Sequence, residues 1–152
     1  MSDPGQTAPY DELADAGLVG CAVASHAGYL LAASRVVASD LFNPAHRRLF
    51  EACEQLAELD GTNIDTRDKR VERAAVIAGV RVDVLRRILD NRPVATDKNG
   101  TLARRVKSAA DGRRVMAFCA DLYNRLGAGE PVEVVLADLE PVVRLVLTGS
   151  PT

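Results

Sequence analysis

Apolar residues recur at intervals of three to four positions along most of the chain, which is the spacing of one face of an α-helix. In the first part, Leu13, Leu18 and Cys21 follow this spacing, as do Leu30 and Leu31 a little later. The pattern predicts five helices before the last third of the chain, at about residues 10–24, 27–38, 44–60, 65–79 and 82–91. We therefore predict an all-α protein, preceded by a flexible tail over residues 1–9, where prolines interrupt any apolar period.

The last third carries a longer helical pattern. About residues 96–126 form one helix of some 45 Å, and a turn at residues 127–131 leads into a helix over about 132–147 that is apolar nearly all round. The result is a helical hairpin that either packs back on the preceding part or pairs with another chain. The four-three spacing along the first helix is that of a coiled-coil seam and predicts a dimer interface. Its members are Leu102, Val106, Ala109, Met116, Ala120 and Tyr123.

These elements predict a small helical globular head over residues 10–95 and a long C-terminal helical hairpin over 96–147, with tails at 1–9 and 148–152. The 152 residues, 47% of them hydrophobic, suit a single folded domain. No apolar run reaches the roughly 20 residues of a membrane span, and no secretory signal is visible. Three widely spaced cysteines form no metal or redox pattern, so we expect a reduced, cytoplasmic protein.

The basic charge is concentrated in one window. Residues 81–114 hold ten basic and four acidic residues, a net +6, whereas the rest of the chain carries −8 within a total of −2. The window is interpreted either as a solvated helical face that meets acidic partners or as a docking surface for nucleic acid or an acidic protein. The surface would comprise Arg86, Arg87, Arg92, Arg104, Arg105, Arg113 and Arg114. The excess of arginine over lysine, sixteen to three, indicates a GC-rich coding bias.

Catalytic signatures are absent from the sequence. It contains no phosphate-binding glycine loop and no dinucleotide fingerprint, and neither His26 nor His46 lies in a zinc-binding motif. The cysteines are expected to be small buried apolar residues, and the acidic pairs near Glu51 to form a solvated face. We therefore expect no enzyme activity, no metal and no cofactor.

One local pattern predicts DNA binding. Ala75 lies four residues before Gly79, and Leu85 follows that glycine by six, as in a helix-turn-helix. Arg86 and Arg87, with Arg92, would then contact phosphates, as in a transcriptional regulator. Against this, Arg81 and Val82 stand where a Ser or Thr cap is usual.

A second pattern covers residues 11–145. The run from Leu41 to Ala52, with Phe42, Pro44, His46 and Phe50 as its core, resembles the N-terminal domain of replicative helicases of the DnaB type. The segments at residues 18–23, 89–96 and 103–115 are similar to that domain's opening helix, to the approach to its hairpin and to the start of the hairpin helix. The opening acidic segment and residues 62–82 depart from the family's pattern.

The resemblance implies a non-enzymatic interaction domain of DNA replication. In the family, such hairpins pair into dimers that form a collar, and the collar receives primase and loader proteins. We therefore expect a homodimer or higher oligomer that associates with a replicative helicase, primase or loader at the replisome, with DNA as a secondary partner. The chain is expected to be either a fragment of an ATP-dependent DNA helicase or a stand-alone relative, such as a phage modulator.

Overall fold

Seven α-helices make up nearly all of the computed structural model, which describes residues 8–59, 66–91 and 96–148. The helices are α1 (Glu12–Ala24), α2 (His26–Ala33), α3 (Pro44–Leu59), α4 (Arg67–Ala78), α5 (Val82–Asp90), α6 (Thr101–Gly127) and α7 (Val132–Thr148). A short 3₁₀-helix spans Ala38–Asp40, and no strand occurs in the described ranges. The predicted all-α class is confirmed. Within these ranges, none of the helices is long and apolar enough to cross a membrane.

The chain divides into two compact units within α6. One unit comprises Tyr10–Ala110, and the other includes the rest of α6 from Asp111 together with α7. In the first unit α1 is the central helix and packs against α2, α3, α4 and α5. Nine of its thirteen residues are buried, which fits a helix surrounded by others rather than one lying on a surface.

Side-chain caps define several helix ends in the first unit. Asn43, which the sequence predicts as a cap because Pro44 follows it, accepts a hydrogen bond from the backbone N–H of Ala45 at 2.8 Å at the start of α3. Thr66 caps α4 through the N–H of Lys69, at 3.2 Å. Gly79 ends α4 with a φ of +69°, a conformation that other residues adopt at a cost. The sequence also predicts a helix stop at Gly61, because glycine commonly ends a helix, and that residue lies outside the described ones.

Arginine side chains satisfy the carbonyls that other helix ends leave without intrahelical partners. Arg70, only 3% exposed, donates to the backbone oxygens of Val23 (3.0 Å) and Ala22 (2.9 Å) at the end of α1. Arg48 donates to the Ala78 oxygen at the end of α4, at 3.1 Å. Both contacts join two different helices, so they hold the head together as well as capping the helix ends.

Two predicted helices are shorter than their apolar pattern. The second was expected to reach residue 38 but ends at Ala33, because the buried Asp40 carboxylate binds the Val37 N–H at 2.9 Å and stabilises the 3₁₀ turn instead. The long helix was expected to begin near residue 96 but begins at Thr101.

The cause of the later start of α6 is the buried Asp97. Its carboxylate accepts from the N–H groups of Leu102 and Ala103, both at 3.0 Å, and so caps the helix from outside. Arg35 donates to the Asp97 carbonyl at 3.1 Å, and Gly100 adopts a φ of +70°. This turn cannot be continuous with an α-helix, so the helix starts only after it.

Candidate functional site

The motif that carried the family resemblance forms a structural joint between α1 and α3. His46 is buried, and its Nδ1 lies 2.6 Å from a carboxylate oxygen of Asp15, which is also buried. The other Asp15 oxygen accepts the N–H of Phe42 at 3.2 Å. Buried polar groups need such partners, since each costs about 1–3 kcal/mol when left without one. His46 therefore holds the start of α3 against α1.

The remaining motif residues support the same joint. Phe50 is buried and packs at 5.4 Å, centroid to centroid, from the ring of Tyr29. Phe42 is 40% exposed and stacks at 4.5 Å on Tyr10, while Pro44 is exposed as the first residue of α3. The four residues predicted as the core of the family motif thus stabilise the head. His46 and Phe50 do so from its interior, and Phe42 and Pro44 from its surface.

Two of the three cysteines are buried apolar residues, as expected, whereas the expectation of burial is wrong for Cys119. Cys21 and Cys53 are buried, and burial raises the pKa of the Cys53 thiol to about 11, despite the nearby Arg70 guanidinium. Cys119 is exposed on α6. In the part of the chain that the structure describes, no three His, Cys, Asp or Glu side chains are grouped as metal ligands.

Most arginines of the predicted basic surface make contacts within the chain. Arg105 forms two hydrogen bonds to Asp11, at 2.7 and 2.8 Å, and the Arg105 guanidinium lowers the pKa of that carboxyl. Arg113 donates to the Pro9 carbonyl at 2.9 Å, and Arg114 pairs with Asp111 at 3.1 Å. Arg104 donates to the carbonyl of Asn99 at 2.9 Å. These four are therefore partly occupied in holding the fold.

Two arginines of that surface remain available. Arg86 and Arg87 are exposed on α5 and make no hydrogen bond or ion pair with a described residue. Arg92 lies outside the described residues. Among the described arginines of the predicted surface, those without such a contact are thus the two on α5, which we call the free cationic surface.

The α4–α5 pair has the predicted helix–turn–helix outline. Ala75 and Leu85 are buried where the two helices meet, and Gly79 makes the turn. The start of α5, which would face DNA, instead carries a bidentate ion pair between Arg81 and Asp83 at 3.1 and 3.0 Å. The pair engages Arg81 within the chain and leaves no net positive charge at this end for a phosphate, so it disfavours DNA binding by α5.

The predicted dimer seam is divided between core and surface. Leu102 and Val106 are 3% and 2% exposed and belong to the core of the head, so their side chains are not accessible to a second copy. Ala109 is half-buried. Met116 and Tyr123 are 45% and 79% exposed, and Ala120 is exposed as well.

Beyond residue 110 the hairpin is rich in exposed apolar side chains. Of the residues with described side chains in this part, Val135 alone is buried. We use the term hairpin stripe for the exposed apolar set on α6 and α7. It comprises Val115, Met116, Tyr123, Leu126, Val132, Val134, Leu136, Val143 and Leu145. The α7 members were expected from its all-round apolar pattern, but only the structure shows that one chain leaves them uncovered.

The two hairpin helices are joined by one arginine that the sequence did not single out. Arg125 donates to Glu130 in the turn (2.9 and 2.5 Å) and lies 2.8 Å from Asp138 on α7. These carboxylates raise the pKa of Arg125, and the Arg125 guanidinium lowers the pKa of Glu130. The cluster therefore stays charged. The two acids lie 5 and 13 residues after the arginine. These intervals match no helical period, so the sequence pattern did not indicate the cluster.

Comparison with known proteins identifies the fold. No protein-family model and no curated protein sequence matches the chain. Among solved structures, it is similar to the crystal structure of the N-terminal domain of the DnaB helicase from Mycobacterium tuberculosis, with a TM-score of 0.70 and 20% sequence identity. The match covers 92% of this chain and 99% of that domain. The predicted resemblance is therefore confirmed at the level of the fold.

Proposed function

We propose that the chain is a non-enzymatic oligomerisation and protein-interaction domain of DNA replication, which works as the collar domain of a replicative helicase does. The observation that carries this proposal is the hairpin stripe. A chain in water rarely leaves so many large apolar side chains uncovered on two adjacent helices, because covering them would be favourable by about 25 cal/mol per Å². The likeness of fold to a helicase N-terminal domain supports a second copy as the natural cover.

The predicted interface changes accordingly. Met116, Ala120 and Tyr123 stay in the proposed contact, and the exposed valines and leucines of α7 join them. Leu102 and Val106 are left out because they are buried in the head. Within the predicted hairpin of residues 96–147, we propose that the part from Asp111 onward makes the dimer contact, and that the compact unit of residues 10–110 is the head that faces other proteins.

The partners in this proposal are a second copy, a replicative helicase, and a primase or helicase loader. They follow from the fold likeness and from the free cationic surface on α5. A cytoplasmic, replisome-associated location belongs to the same proposal. As a stand-alone protein the chain would modulate a helicase; as part of a longer one it would join the subunits of an ATP-driven motor.

Light scattering on purified protein tests the self-association. Met116→Asp places a charge in the hairpin stripe and is expected to convert a dimer into a monomer, because a buried unpaired carboxylate costs several kcal/mol. Val76→Asp is the matched control, since Val76 is 79% exposed on α4, outside the stripe. Wild-type protein that stays monomeric at all concentrations would refute the proposed dimer.

The alternative of a DNA-binding regulator rests on the helix–turn–helix outline of α4 and α5. It requires duplex binding that weakens steeply with salt and depends on Arg86 and Arg87. A gel shift at low salt with wild type and the doubly substituted Arg86→Ala/Arg87→Ala protein decides it. The ion pair of Arg81 with Asp83 leads us to expect no shift with either protein.

A further inference from the structure

A groove of about 450 Å³ lies between α1 and α5 on the surface of the head. On α5 its residues are spaced by three and four positions, so that they form one helical face. The lining consists of Glu12, Leu13 and Ala16 from α1, Val84, Arg87 and Ile88 from α5, and Asn91 directly after α5. None of these residues belongs to the hairpin stripe.

The centre of the groove is apolar and open to water. Leu13 is 54% exposed and Val84 36% exposed, while Ile88 is half-buried and packs against the core. A groove with this degree of exposure does not enclose a small molecule, which would bury most of its own surface. It offers a shallow apolar track between two helices, which is the kind of surface that receives a third helix.

The charges at the two sides of the groove differ. Arg87 borders it on α5 and Glu12 on α1, and neither makes a hydrogen bond or ion pair with a described residue. By contrast, Arg81, which directly precedes α5, forms an ion pair with Asp83 at 3.0 Å. An occupant that brings a carboxylate to the α5 side and a cationic group to the α1 side would pair both.

We propose that this groove binds an amphipathic α-helix of a partner protein. The helix would lay leucine- or isoleucine-like side chains at positions i, i+3 or i+4, and i+7 between Leu13 and Val84, with an acidic residue towards Arg87. The inference rests on the proposed function in one respect only, that the head receives a partner protein. It adds where that partner binds, in the groove between α1 and α5, and which side chains its helix would present there.

A synthetic helical peptide of about 14 residues provides the probe. It carries leucines at the stated spacing, glutamates along the flank that meets α5 and lysines along the other flank. Its binding to the full chain is followed by fluorescence polarisation and by amide chemical shifts. The shifts are expected at residues 12–16 and 84–91, and a peptide with the same composition but scrambled spacing is expected to cause none.

The chain offers closely matched control substitutions. Arg87→Glu is expected to weaken binding about tenfold, whereas Arg86→Glu, the adjacent exposed and unpaired arginine outside the groove, stays within about twofold. Leu13→Lys is expected to abolish binding, whereas Leu30→Lys is not, although Leu30 on α2 is equally exposed at 52%. A peptide with lysines on the α5 flank should recover the affinity lost in Arg87→Glu.

Two results would overturn the inference. One is the absence of saturable shifts up to about 1 mM peptide, and the other is an equal loss of binding in the paired control variants. Light scattering on the same samples keeps the two proposals apart. Loss of peptide binding with the dimer intact refutes the groove alone, whereas a monomeric wild type that still binds the peptide refutes the hairpin dimer alone.

Discussion

Replacing the buried Asp97 with alanine should destabilise the protein by removing the cap of α6. Both oxygens of this buried side chain accept backbone N–H groups of α6 at 3.0 Å, those of Leu102 and Ala103. Alanine leaves the two donors without partners beside the core. Each buried unpaired donor costs about 1–3 kcal/mol, and loss of a helix cap alone costs about 1 kcal/mol.

We therefore expect Asp97→Ala to lower the free energy of unfolding by about 2–4 kcal/mol, which is a large share of the 5–15 kcal/mol typical of a domain. Asp97→Asn keeps one oxygen acceptor and should lose about half as much. Urea denaturation at one fixed protein concentration measures the change, since self-association would otherwise add to the apparent stability. Hydrogen exchange should locate the loss at the first turn of α6.

Asp90→Ala is the control, because Asp90 is exposed at the end of α5 and should change stability by no more than about 0.5 kcal/mol. If Asp97→Ala lost less than about 1 kcal/mol, or no more than Asp90→Ala, the capping role assigned to Asp97 would be wrong.

Three further outcomes follow from the same structure. A thiol reagent at pH 8 should modify Cys119 rapidly and the two buried thiols only on unfolding, because burial raises the pKa of Cys53 to about 11. Early modification of Cys53, detected by mass spectrometry, would contradict its burial. Asp11 has a lowered pKa in the folded state, so its contribution to stability is present above the unfolded pKa of about 3.9 and is lost as the pH falls through the folded value. Asp11→Asn should accordingly be less stable than wild type in urea at neutral pH, and the difference should shrink as the pH falls below the unfolded pKa of about 3.9; a constant difference would argue against the Arg105 pair. Arg125→Ala should raise hydrogen exchange in α7 without changing that of the head, and unchanged exchange in α7 would show that apolar contacts alone close the hairpin.

Much of the fold could be predicted from the sequence because its signals are local. Helical spacing gave the order of the helices, and Asn43 and Gly79 act at helix ends as their chemistry requires. The start of α6 could not be found in this way. It depends on Arg35 and the buried Asp97, which are 62 positions apart and appear in the sequence only as ordinary charges.

The candidate site was less accessible to sequence reasoning, for a geometrical reason. The four-three pattern makes Leu102 and Met116 members of one seam. It does not show whether a given turn of the long helix packs against the head or is exposed to water. In the structure the first belongs to the core of the head and the second is exposed. Likewise, a sum of charges counts Arg105 and Arg87 equally, although only Arg105 is paired with a carboxylate, 94 positions away.

The arginines that bind main-chain carbonyls change the meaning of the sixteen-to-three ratio of arginine to lysine. A guanidinium can reach two neighbouring carbonyls with separate N–H groups, as Arg70 does at the end of α1, and it is less strongly hydrated than an ammonium group. Lysine keeps the charge but not this geometry. A library of charge-conserving Arg→Lys changes would thus divide the arginines into two classes, with Arg70 and Arg48 among those that do not tolerate lysine and Arg86 among those that do. What looks like codon usage in the sequence is, at those positions, a requirement of the backbone.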